Sequence, residues 1–154
     1  LQAGQAFTNS SVALVHGMAR PLGAQLHIPH GLANGLLLPY VMEFSLIAAP
    51  EDYADIARTM GVADDGMSDR AAAEAAVEGV HDLCSDIDLA DYLDEYGTVP
   101  PREEYLDVVE KMAQDAIDSG SPDNNPRKPT QTEIEELFVR LYDDALAPDS
   151  PRRS

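Results

Sequence analysis

The chain has 154 residues, enough for one domain with a real core. It is 44% hydrophobic but only 6% aromatic, with no Trp, so packing must come from Leu, Val, Ile, Met and Ala, which suits helices better than a β-sandwich. Acidic residues outnumber basic ones 28 to 10, and the net charge of −18 excludes the basic footprint of a nucleic-acid-binding protein.

Lys111 and Lys128 are the only lysines. Few lysines beside many aspartates read as a solvated acidic surface of the salt-adapted kind, with a partner-binding surface or a disordered tail as the other readings. Cys84 is the single cysteine, so no intrachain disulfide is expected, in keeping with a cytoplasmic location. No run reads as the roughly 18 apolar residues that span a bilayer, so no membrane partner is expected. Leu1–Ala6 lacks a basic signal-peptide region and an initiator Met, and the chain reads as the C-terminal part of a longer protein.

Helical periodicity runs almost throughout, and strand signals are nearly absent. Residues 3–25 read as a helix of small residues, with a break or bend expected near 20–24 because Pro21 removes a backbone donor. Pro29-His30-Gly31 opens a second helix to about Ala48, apolar nearly all round and therefore a buried central helix, bent at Pro39. Pro50 starts a third helix that Gly61 stops. Ser68 caps a fourth, with Ala72, Ala75, Ala76, Val80, Leu83 and Cys84 on or near one stripe. A short helical piece around Leu89–Tyr96 ends at Gly97, and Pro100-Pro101 precede a sixth helix. Ser119–Pro129 is a loop. Thr130 and Glu133 form a capping box for the last helix, whose stripe is Ile134, Leu137, Phe138, Leu141, Tyr142 and Ala145. The fold class is all-α: one helical domain over residues 1–147, then a frayed tail over 148–154.

Three of the four histidines, His16, His27 and His30, fall within fifteen positions of an otherwise apolar stretch. An imidazole there needs a partner. A divalent metal is one, and neutral imidazole is a common ligand for zinc and iron. His16 lies on the first helix and His30 at the start of the second, so crossing helices could aim both rings at one point. Spacing alone leaves open whether they are co-ligands or hydrogen-bonded structural residues, and two ligands are too few for a tight site.

The run Ala3-Gly4-Gln5-Ala6-Phe7-Thr8-Asn9-Ser10-Ser11, then Val15-His16-Gly17-Met18-Ala19-Arg20-Pro21-Leu22-Gly23-Ala24, then Ile28-Pro29-His30-Gly31-Leu32-Ala33-Asn34, resembles the signature region of iron-containing (group III) alcohol dehydrogenases. Asn125-Pro126-Arg127-Lys128-Pro129-Thr130 with Glu133-Ile134 resembles that family's segment before its last helix. Residues 50–115 match only in helical character.

The resemblance implies the C-terminal half of a two-domain, dehydroquinate synthase-like fold. NAD or NADP is then bound mainly by an upstream α/β domain. The divalent metal, Fe2+ or else Zn2+, is held by an upstream Asp and His together with the residues matching His16 and His30. It implies metal-assisted hydride transfer between an alcohol and an aldehyde or ketone, in a homo-oligomer, with this chain inactive by itself. Arg20 departs from the pattern: many family members carry histidine there, near nicotinamide and substrate. Arginine cannot relay protons near neutral pH. Arg20 is instead expected to bind an anion, a substrate carboxylate or a cofactor phosphate, with an ion pair to a nearby acid as the plainer alternative. Phe7 matches a family aromatic beside the substrate channel. His27 matches no ligand position, His81 reads as structural or exposed, and Cys84 as core. Asn34 could hydrogen-bond near the metal helix but has no assigned role. The rival functions are a zinc-type relative, such as a glycerol dehydrogenase or maleylacetate reductase, and a non-catalytic acidic helical interaction module.

Overall fold

A computed structural model describes residues 4–5, 11–148 and 150. Among these there are helices and turns and no strand. The long helices in chain order are α1 (Leu14–Leu26), α2 (His30–Ser45), α3 (Pro50–Met60) and α4 (Asp69–Asp86). Then come the short α5 (Tyr92–Tyr96), α6 (Arg102–Asp118) and α7 (Gln131–Leu141), which ends in a π-helical turn, Tyr142–Leu146. Single 3-10 turns occupy Leu46–Ala48, Leu89–Asp91 and Ser121–Asn124.

The expected break at Pro21 does not occur: α1 runs through Pro21 to Leu26. A proline inside a helix costs about 3 kcal/mol. Leu14, Met18, Leu22 and Leu26 are fully buried on one face of this helix, and burying four such side chains contributes roughly 6–12 kcal/mol. Packing therefore outweighs the lost donor. The interruption falls earlier instead, at residues 11–13, where the chain is non-helical and Ser11 has a φ of 61°.

Helix α2 is the central element. Leu32, Ala33, Leu36, Leu37, Tyr40 and Val41 lie in a large core with residues of α1, α6 and α7. Met42, near its end, and Leu46, just beyond it, belong to a smaller core between α3 and α4. That second core is built on Ala54, Ala57, Ala72, Ala73 and Ala76, whose small side chains let α3 and α4 approach closely. The expected stripe on α4 holds at Ala72, Ala76 and Val80. Cys84 is half-buried and packs against the same core, whereas the stripe fails at Leu83, which points to solvent. The expectation that nothing reaches bilayer-spanning length also needs correction. His30–Ala48 has 19 residues with a mean hydropathy of 1.4, long and apolar enough by composition, but half of the tested window is buried inside the protein. It packs as a core helix against α1, α4 and α7.

The ends follow local chemistry. Gly61 stops α3 with a φ of 78°, in the left-handed region that suits glycine. The Ser68 hydroxyl accepts from the Ala71 N–H at the start of α4. Thr130 and Glu133 form the expected reciprocal capping box on α7. The Asn-Pro-Arg segment locks the far end of α2. The Asn125 amide donates to the Ser45 hydroxyl and to the Arg127 carbonyl, each at 2.8 Å. Arg127 lies over the Phe44 ring, donates to the Phe44 carbonyl, and pairs with Glu133. Of the tail from Pro148, Pro148 is exposed and Ser150 is buried, the Ser150 N–H donating to the Ala147 carbonyl.

Candidate metal centre

The turn between α1 and α2 sets the site. His27 takes a left-handed conformation (φ 56°), and the N–H groups of His27 and Ile28 both donate to the Gly23 carbonyl, closing α1. Pro29 is extended and starts α2, so that His30 is its first residue. The rings of His16 and His30 then meet edge to face, with centroids 5.2 Å apart and planes at 61°.

That spacing suits a shared metal. A ring nitrogen at 2.0–2.1 Å from an ion places the ring centroid roughly 3.2 Å from it, so two rings at a tetrahedral angle lie about 5 Å apart. His16 is half-buried and His30 exposed. The pKa of His16 lies below its ordinary value, first because burial penalises the cation, then because His30 and Arg20 are close. At neutral pH its lone pair is therefore available to an electrophile. Among the described residues no group of three or more His, Cys, Asp or Glu side chains is placed to hold a metal. The described residues thus offer two imidazoles that fit a metal and no third side chain grouped with them.

The neighbours of the pair come from three elements. Arg20, one turn after His16, is exposed and makes no ion pair among the described residues. On the other side, the 3-10 turn Ser121–Asn124 lies over α1. A Cβ on Gly17 would stand 3.2 Å from Pro122, and Asn124 donates to the Val12 carbonyl at 3.0 Å. Glycine at 17 thus lets this turn close on the helix beside His16. Asn34 completes the set: its amide nitrogen lies 3.0 Å from His30 Nε2 and 2.7 Å from the His30 carbonyl. Its four-residue spacing from His30 on one helix was the available signal.

The remaining expectations divide. His27 is exposed and forms the end of α1. His81 is half-buried, with its ring edge to face against Tyr40 at 5.6 Å. Cys84 packs against the smaller core and also lines a cavity of about 620 Å³ shared with Gly35, Tyr40, His81 and Asp88. Phe7 lies outside the described residues.

The comparisons agree with this architecture. A 1,3-propanediol oxidoreductase of known crystal structure matches with a TM-score of 0.79 and 38% identity, over 90% of this chain and 35% of that one. The helical domain is thus that of the group III dehydrogenases. The family model described as "Fe-containing alcohol dehydrogenase family, C-terminal" matches residues 1–142, and the chain belongs to that family. A 1,3-propanediol dehydrogenase of Citrobacter freundii is 41% identical over 92% of this chain and 35% of its own length. A lactaldehyde reductase of Escherichia coli is 43% identical over 88% of this chain and 34% of its own length. The chain spans about a third of the length of these curated relatives.

Proposed function

We propose that the protein to which this chain contributes is a metal- and NAD(P)-dependent alcohol dehydrogenase, and that His16 and His30 are two of its metal ligands. The convergence of the two rings at 5.2 Å carries the reading. A non-catalytic helical module would have no need to bring two imidazoles from different helices together. The family's divalent metal, Fe2+ or Zn2+, supplies Lewis acidity toward an alcohol or carbonyl oxygen, and the nicotinamide accepts or gives the hydride. The rest of the ligand set and most of the nicotinamide-nucleotide contacts come from outside this chain, because a metal site of this class needs three or four ligands.

This chain's residues have separate tasks. His16 and His30 present ring nitrogens from two helices held by the large core. Arg20 places a permanent positive charge beside His16 and orients an anionic group, a substrate carboxylate or a cofactor phosphate. The Ser121–Asn124 turn covers one side of α1 and keeps bulk water from that face. Substrates are small alcohols, aldehydes or ketones. A cytoplasmic homo-oligomer completes the reading.

The test is metal affinity and turnover in the protein with its nucleotide-binding part present. His16→Ala and His30→Ala should each lower zinc affinity, read by calorimetry, by more than the roughly 10–100-fold lost when only an outer partner is removed. Both should abolish NAD(P)-linked alcohol oxidation. Single variants that hold the metal as tightly as the parent would refute the assignment.

A further inference from the structure

Asn34 uses its side chain in an unusual way. Both hydrogen-bonding contacts of its amide are to one residue: Nδ2 lies 2.7 Å from the His30 carbonyl oxygen and 3.0 Å from His30 Nε2. Its Oδ1 is buried and has no hydrogen-bond partner among the described residues. A buried acceptor left unmade costs stability, so this placement asks for a compensating role.

The carbonyl contact fixes which way the amide faces. The His30 carbonyl can only accept, so the atom 2.7 Å from it must be the donating nitrogen; the reversed amide would set two acceptors against each other. The same NH2 group then aims its second hydrogen at Nε2. A neutral imidazole has one N–H and one lone pair. With a donor facing Nε2, the lone pair sits there and the proton sits on Nδ1.

We propose that Asn34 is a positioning residue for His30, holding its ring in the Nδ1–H tautomer with the Nε2 lone pair ready for a metal. Binding at Nε2 then requires no proton to leave His30. One hydrogen bond from the amide is exchanged for one bond to the ion, and the proton stays on Nδ1. The role of Nε2 as a ligand atom rests on the metal reading of His16 and His30. The tautomer held by Asn34 does not, and it can be measured in the metal-free protein.

The experiment is long-range 1H–15N correlation on the chelator-treated protein, selectively 15N-labelled at histidine, at a pH where the rings are neutral. The parent should show a pyridine-like Nε2 and a pyrrole-like Nδ1 at His30. Asn34→Ala removes the donor, and His30 should move toward the Nε2–H form that predominates in free histidine. Asn34→Asp keeps the size but offers only acceptors, and should drive the ring to Nε2–H, which guards against an alanine variant that does not fold. Adding zinc to the parent should shift the His30 Nε2 resonance while the Nδ1 proton is retained. An Nε2–H ring in the parent, or a tautomer unchanged in both variants, would overturn the role of Asn34 and leave the metal reading untouched. The expected tautomer with no response of His30 to zinc would overturn the metal reading, and with it the hand-over of Nε2.

Discussion

The Asn-Pro-Arg segment makes a prediction that depends on three elements meeting. Asn125 is 7% exposed and Ser45 is fully buried. The Asn125 amide donates to the Ser45 hydroxyl and to the Arg127 carbonyl at 2.8 Å each, and the Tyr53 hydroxyl also hydrogen-bonds to Ser45. Asn125→Ala leaves one buried acceptor, the Ser45 hydroxyl, and one part-buried acceptor, the Arg127 carbonyl, without this donor. At about 1 kcal/mol for each lost bond, with a further penalty for the acceptor that finds no substitute, the cost is about 2–3 kcal/mol. For a chain of this size that lowers Tm by roughly 4–12 °C. Urea unfolding followed by circular dichroism measures the cost directly, as a shift in midpoint at unchanged slope. Ser45→Ala and the double variant close a thermodynamic cycle. The two residues share one bond, so their effects should fall short of additivity by about 1 kcal/mol. A loss below about 0.5 kcal/mol for Asn125→Ala, a value typical of a surface substitution, would refute the argument. So would strict additivity, because the shared bond would then carry no energy.

The Glu133 carboxyl is held below its ordinary value of 4.5, first by the Thr130 backbone N–H, then by the Thr130 hydroxyl and Arg127. Folding lowers this pKa, so the group's contribution to stability is present above 4.5 and is lost as pH falls through the lower folded value. Unfolding midpoints measured downward from pH 4.5 should decline less steeply in Glu133→Gln than in the parent. Arg20→His should weaken activity on carboxylate-bearing substrates, or affinity for the phosphate-bearing cofactor, by about 10–100-fold, the worth of one charge-assisted hydrogen bond. Unchanged relative activities together with unchanged cofactor affinity would remove the anion-binding role.

Much of the helical layout was legible because its signals are local. The capping box at Thr130 and Glu133, the Ser68 cap and the Gly61 stop depend on residues within four positions of each other, and all three occur as read. Where α1 starts and whether Pro21 breaks it were not legible. The answer depends on how much apolar surface α1 buries against α2 and α6, a quantity that exists only once the helices pack. Leu83 shows the same limit: helical spacing put it near a buried stripe, but among the described residues no element covers that side of α4.

The candidate site divides along the same line. Sequence by itself determined the residue types: two histidines fourteen positions apart in an apolar setting, an arginine one turn beyond the first, and flanking motifs that resemble those of one dehydrogenase family. Only tertiary structure decided that the two rings converge, because the left-handed turn at His27 and the shared core of α1 and α2 set their crossing. Packing likewise set the 3-10 turn at Pro122 against Gly17. At Asn34 the spacing was local, but which of its atoms faces His30 and which stays buried is a matter of three-dimensional placement. Ligand identity is a property of composition, whereas ligand geometry is a property of packing between segments distant along the chain.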